Sequence, residues 1–292
     1  MCAAERGQRV LAVEIDTAGA LGATLEVAPF GFDPVVVGDG IEALAIDTES
    51  ALAEYLRLFV RIPFVGRIGP VARLFDYVAQ AAPGVREILT LGKICHEART
   101  GPWDLIVVDA PATGHVVEHL TAPQVIGELV RVGMVRDQTA WMREIIEDPS
   151  RTGVVIVTTP EETPVNETLE LWHRWHHETD VDVAGVVANR VAGEPFAPRE
   201  HDLVQRLENP EVASALRERI GPGLDAILAA GHLAATRRRT AMGHLSRLRQ
   251  ELPPDEPPVL IPEIREVAST RRLVVEMARR LGDELDVEVP HP

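Results

Sequence analysis

Five short apolar runs constrain the fold of this chain more than any other feature: Val10-Leu11-Ala12-Val13-Glu14-Ile15, Leu105-Ile106-Val107-Val108, Val154-Val155-Ile156-Val157, Val183-Ala184-Gly185-Val186-Val187-Ala188 and Val259-Leu260-Ile261. Each is nearly continuous in apolar residues instead of alternating, the pattern of strands buried on both faces of a parallel sheet. Sequence of helical composition separates them, as crossover connections require. The third and fourth runs are joined through Thr159-Pro160-Glu161-Glu162-Thr163-Pro164 and a helical stretch from Val165 to His177, which makes a βαβ unit.

The stretch between the first two runs is far too long for a loop in a compact domain. It has helical periodicity through Leu44 to Val60 and Val71 to Ala81, interrupted by Pro63, Gly66, Gly69, Pro70, Pro83 and Gly84. A helical subdomain inserted after the first strand is the simplest account. Further helical stretches, Pro123 to Glu147 and Leu203 to Leu252, follow the second and fourth strands. Pro253-Pro254-Asp255-Glu256-Pro257-Pro258 reads as a rigid connector into the last strand, and Arg271 to Leu285 as a closing helix. The expected organisation is a single α/β domain over residues 1–292, with a mostly parallel sheet flanked by helices. Its core falls at about 8–35, 100–118, 150–192 and 256–285, and its helical subdomain at about 40–100, 119–149 and 194–252. No repeat recurs at a fixed period, which sets aside solenoids and propellers.

A formal net charge of −16 opposes binding to nucleic-acid backbones and anionic membrane surfaces, which depend on clustered Lys and Arg. The basic run Arg237–Arg239 is short and flanked by apolar helical sequence, so it reads as a solvated helix face. Only Cys2 and Cys95 are present, too few for a disulfide framework or a thiolate zinc site, and a reducing, cytoplasmic compartment is expected. The first nine residues carry charge where a signal peptide needs its apolar stretch. No run approaches the ~18–20 apolar residues of a membrane span, so stable membrane insertion is not expected.

The chemistry-bearing residues stand at the ends of the first two strands, in Asp16-Thr17-Ala18-Gly19 and Asp109-Ala110-Pro111-Ala112-Thr113-Gly114-His115. Ligands of open parallel sheets sit at the carboxyl ends of the strands, so an Asp there can meet a metal ion, a water or a phosphate. An Asp after a strand is also a common helix N-cap or turn residue. That plainer reading is the stronger one for Asp16 taken alone, whereas Asp109 with its Thr113-Gly114-His115 continuation favours function.

Asp109 to His115 resembles the switch II signature D-T-A-P-T-G-H of the ArsA/Get3 P-loop ATPases, in register at Asp109, Thr113, Gly114 and His115. Asp16-Thr17-Ala18-Gly19-Ala20-Leu21 is similar to that family's switch I, D-P-A-x-[SN]-L, with Thr17 in place of proline and Ala20 in place of the polar residue. Pro83-Gly84-Val85-Arg86-Glu87 resembles the family's P-G-x-x-E, Asn189 matches the asparagine that reads adenine, and Pro262-Glu263 matches the loop that closes over the base. The resemblance implies a SIMIBI-class P-loop NTPase fold, with ATP and Mg²⁺ as cofactors. It gives Asp109 the part of holding Mg²⁺ through bound waters, and gives Thr113, Gly114 and His115 that of a switch sensing the γ-phosphate. Asp16 would orient or deprotonate the attacking water.

A P-loop ATPase also needs G-x-x-x-x-G-K-[ST], whose backbone N–H groups, lysine and hydroxyl hold the phosphates and Mg²⁺. No such motif occurs in these 292 residues, and Gly92-Lys93 is followed by Ile94 in helical sequence. Within the resemblance, Met1 to Gln8 looks like the end of the helix that follows the glycine-rich loop. The expectation is therefore a fold lacking its first, central strand, with a gap lined by apolar side chains and unpaired backbone groups. Two accounts follow: a start 20–40 residues upstream of a truncated sequence, or a degenerate subunit that pairs with a P-loop-bearing paralogue.

Weaker candidates fare less well. His173 and His177 lie one helical turn apart in Trp172-His173-Arg174-Trp175-His176-His177 but lack a third ligand, so a solvated helix face is expected. Metalloid capture by thiolates needs a cysteine cluster that is absent. Apolar residues of the helical insert, and Val125, Ile126, Leu129, Val130, Val132, Met134 and Val135, suit either ordinary packing or a groove for a hydrophobic client helix. The reading that results is a nucleotide-driven switch, acting as a homodimer or as a heterodimer with a related ATPase.

Overall fold

In a computed structural model, all residues are described except 16–18, 61–83, 111–112, 131, 197–205, 208, 222, 265–268 and 286–292. The elements in chain order are α1 (Cys2–Glu5), β1 (Val10–Ile15), α2 (Ala20–Leu25), β2 (Val35–Gly38), β3 (Ile41–Ile46), α3 (Thr48–Tyr55) with a π-helical turn at Leu56–Val60, and α4 (Val85–Thr100). They continue with β4 (Leu105–Asp109), α5 (Thr113–Leu129), α6 (Met134–Ile146), β5 (Val154–Thr158), α7 (Glu162–Glu178), β6 (Val183–Val191), α8 (Pro210–Ile220), α9 (Gly223–Glu251), β7 (Val259–Pro262) and α10 (Thr270–Glu284). All five apolar runs are strands, and the fold is α/β with mostly parallel strands flanked by helices. The chain divides into two units, one of residues 1–155, 170–184 and 266–292, the other of residues 156–169 and 185–265.

The sheet of the first unit has the order β2-β3-β1-β4, with β1 parallel to both β3 and β4 and β2 antiparallel to β3. Side chains alternate across a strand. Leu11, Val13 and Ile15 therefore share one face with Leu44 and Ile46 of β3, and there they bury against Leu52 and Leu89, with Ile106 and Val108 of β4 packed at the side. The opposite face buries Val10, Ala43 and Glu14 but leaves Leu105 and Val107 of β4 exposed.

Leu44 to Ile46 belong to β3, not to the helix that their composition suggests. The cause is a hairpin: Gly38 and Ile41 pair across the two-residue turn Asp39-Gly40, and Gly40 takes φ +69°. Such a turn needs left-handed backbone, which Asp-Gly supplies at little cost. Pairing with β1 then overrides the helix propensity of Glu42-Ala43-Leu44-Ala45. The helical stretch expected over Val71 to Ala81 lies outside the described residues. The stretch expected from Pro123 to Glu147 is two helices, α5 and α6, the first beginning ten residues earlier at Thr113.

Lys93 of α4 is enclosed in this unit. Its ammonium lies 3.1 Å from Glu54 Oε1 and 2.9 Å from Glu97 Oε1, and 4.4 Å from the centre of the Phe32 ring. The indole of Trp103 donates a further hydrogen bond to Glu97 at 2.9 Å. Burial pushes the Glu97 carboxyl up, but the Trp103 and Lys93 hydrogen bonds and the Lys93 charge outweigh it and hold it below its ordinary value. The network pairs every charge it buries, which is the condition for tolerating such charges.

The second sheet has the order β5-β6-β7, with β6 parallel to β7. In the second unit Ala188 and Val191 of β6 pack on Leu245 and Met242 of α9 and on Leu260 of β7. Arg238 of α9 donates to the carbonyl of Ala192 at 2.6 Å, just beyond β6.

Both sheets end in strands that expose apolar side chains. β4 pairs with β1 on one side and is the last strand of its sheet, with Val107 51% exposed. β5 is the last strand of the other, with Val157 58% exposed. No helix among the described residues is long and apolar enough to cross a membrane.

Candidate functional site

In the first unit, β1 and β4 run parallel with Glu14 opposite Asp109, so the two strands end side by side. Asp109 is the last residue of β4 and is exposed. Thr113-Gly114-His115 form the first turn of α5, where backbone N–H groups have no intrahelical acceptor and can face an anion. His115 is exposed, with Nδ1 3.5 Å from Glu118 Oε2. Pro111 and Ala112 lie outside the described residues, as do the side chain of Thr113 and the whole of Asp16. The segment containing Asp16 leaves Ile15 and re-enters the described chain at Gly19, whose φ of +81° caps α2 in left-handed backbone.

Among the described residues no group of three or more His, Cys, Asp or Glu side chains is arranged to hold a metal ion. Mg²⁺ does not need such a cage, since it keeps several waters and takes only one or two carboxylates plus phosphate oxygens. Asp109, exposed at the end of β4 and four residues before the start of α5, can supply one such carboxylate. His173, Arg174, His176 and His177 are on the exposed face of α7, while Trp172 and Trp175 are buried, so the His cluster is the solvated face expected of it.

The second unit brings together the other predicted residues. Val191 of β6 pairs with Pro262 of β7, and Glu263 N–H donates to the Val191 carbonyl at 2.9 Å. Between Ala188↔Leu260 and Val191↔Pro262 the register slips, because β6 carries one more residue than β7. Asn189 and Arg190 occupy this bulge. Arg190 takes φ +56°, and Asn189 Oδ1 accepts its N–H at 2.8 Å. A non-glycine residue in left-handed backbone costs roughly 1–2 kcal/mol, and bulges concentrate where a strand must re-aim a side chain. Asn189, Pro262 and Glu263 thus share the carboxyl ends of two neighbouring parallel strands, the end at which such sheets bind ligands.

The sequence matches the anion-transporting ATPases, the ArsA type, over residues 1–140 and 131–210. The chain belongs to that family. Among curated relatives of this ArsA-type protein, the ATPase BagA of Mycobacterium tuberculosis is 28% identical over 222 residues, covering 72% of this chain and 64% of the relative. A putative arsenical pump-driving ATPase of Halobacterium salinarum is 26% identical over 233 residues, covering 74% of this chain and 36% of the relative. An arsenical pump-driving ATPase of Acidiphilium multivorum is 27% identical over 225 residues, with 69% and 37% covered. The chain thus spans under two thirds of the mycobacterial relative and just over a third of the pump-driving ones.

One buried residue of this ArsA-type site was not assigned a part from the sequence. Glu14, within the first apolar run, is 1% exposed and accepts hydrogen bonds from Ala20 N–H at 2.7 Å and Leu21 N–H at 3.2 Å. A lone carboxylate inside a strand otherwise buried on both faces was the available signal, since such a charge must find partners.

Proposed function

We propose that this protein works as an ATP-binding, Mg²⁺-dependent ATP hydrolase, a nucleotide-driven dimer switch of the cytoplasm. The observation that carries the reading is the parallel register of β1 and β4, which sets Asp109 at the strand end beside the entry to the Asp16 segment. The bound metal would supply charge neutralisation at the phosphates. Asp109 would hold its waters by accepting their hydrogen bonds, and the first turn of α5 would turn N–H groups toward the γ-phosphate. Asp16 would accept the proton of the attacking water, or fix its orientation. Asn189 would pair with the adenine edge, with Pro262 and Glu263 beside the base.

The phosphates themselves require a glycine-rich loop. We place it on a further parallel strand that pairs with the open edge of β4, because Val107 is exposed on a strand whose neighbour β1 is buried on both faces. Where a P-loop-bearing paralogue contributes that strand, this chain is a partner subunit without turnover of its own. The exposed Val125 and Leu129 near the end of α5, and Val132 beyond it, support the further proposal of a hydrophobic client helix.

The 292-residue chain purified alone is expected to show no measurable ATP turnover. Mg²⁺-dependent hydrolysis by it that disappears on Asp16→Asn would contradict this.

A further inference from the structure

The segment Asp16 to Ala18 joins Ile15 to Gly19, and the described chain on either side of it is tied. Upstream it leaves Ile15 of β1, a strand held by β3 on one side and β4 on the other. Downstream it enters α2, a helix of only six residues. A helix that short has no stability of its own in water. Its far end is secured by Glu26, which closes α2 with φ +57° and whose Oε1 accepts the N–H of Arg271 at 3.2 Å. Its near end is secured from inside the fold: Glu14 Oε1 accepts the N–H groups of Ala20 and Leu21. These belong to the first turn of α2, where N–H groups have no intrahelical acceptor.

Glu14 therefore bridges the loop, joining the strand before it to the helix after it. Its side chain shares the face of β1 and β4 that carries Asp109, directly across the register. Burying a carboxylate in a strand is costly, and a small apolar residue there would leave two backbone donors unsatisfied. We infer that Glu14 is a positioning residue, whose buried carboxylate clamps α2 to the end of β1 and so fixes the distance that the Asp16 segment has to span. The consequence for turnover rests on the ATPase reading above; the clamp itself does not.

The test is site-resolved amide hydrogen exchange on the 292-residue chain and its Glu14→Ala and Glu14→Gln variants, without nucleotide. Glu14→Ala is expected to speed exchange at Ala20 and Leu21 by at least about tenfold relative to the amides of β1 and β3, a local opening rather than global unfolding. Glu14→Gln keeps an accepting oxygen at the same reach and is expected to stay within about threefold of the parent. Unchanged exchange in Glu14→Ala, or a Gln variant as fast as the Ala variant, overturns the clamp. Where Glu14→Ala loses protection throughout β1 and β3, Glu14→Asp is read instead. Its oxygen is withdrawn by one methylene, and the same local acceleration is expected of it, parental exchange overturning the clamp.

In the native assembly, Glu14→Ala is then expected to lower kcat at unchanged KM, with Gln restoring it. An undiminished kcat in a variant with a loosened α2 overturns the link to Asp16. A parent without turnover overturns the ATPase reading and leaves the exchange result standing.

Discussion

β1 and β4 are neighbours in one sheet, parallel and in register, yet they live in different surroundings. β1 has a partner strand on each side and buries Leu11, Val13 and Glu14 on both of its faces. β4 packs Ile106 and Val108 inward but exposes Leu105 and Val107, and it ends the sheet. Equal apolarity in sequence has produced a finished strand in one case and an open edge in the other. An open apolar edge is a template for another strand, which proteins otherwise blunt with charge, proline or a bulge. The difference teaches that an apolar run does not by itself tell an enclosed strand from one with an exposed face, and the exposed one carries Asp109 at its end.

The largest expected effect tests the finished side. Leu11→Ala should lower unfolding free energy in urea by about 3 kcal/mol, whereas Val107→Ala should change it by less than about 0.5 kcal/mol. Equal losses would mean that β4 is as enclosed as β1 in solution. A smaller effect tests the buried charges on the closed side. The carboxyl of Glu97 titrates below its ordinary value of 4.5, so its contribution to stability is present above that pH and is lost as pH falls through the lower folded value. The stability gap between the parent and Glu97→Gln should therefore be constant well above 4.5 and narrow below it; a gap independent of pH would break the account of the Lys93 network. The smallest effect on stability, within about 0.5 kcal/mol, is expected of Val107→Lys. That change should nonetheless reduce concentration-dependent self-association in light scattering, because it charges the open edge.

How much of this was legible in the sequence follows from where the physics is local. The five strands could be read because burial on both faces leaves an unbroken apolar run. The β2–β3 hairpin was obscured because Glu42-Ala43-Leu44-Ala45 has helical composition, although Asp39-Gly40 carried the turn signal. Asn189 is assigned by resemblance alone, and the bulge it occupies arises from a register slip against β7, a pairing distant in sequence. Glu14 carried a signal, a lone carboxylate in an apolar strand, but the N–H groups of Ala20 and Leu21 that it meets are backbone, which no residue pattern identifies.

The central claim is that the end of β4 serves nucleotide hydrolysis. The most direct measurement is steady-state ATP turnover with Mg²⁺ by the protein in its native assembly and by the same assembly carrying Asp109→Asn, with circular dichroism confirming the fold of both. The account predicts turnover in the parent and a loss of at least about a hundredfold in the variant. Turnover that survives Asp109→Asn, in a variant that remains folded, would contradict it.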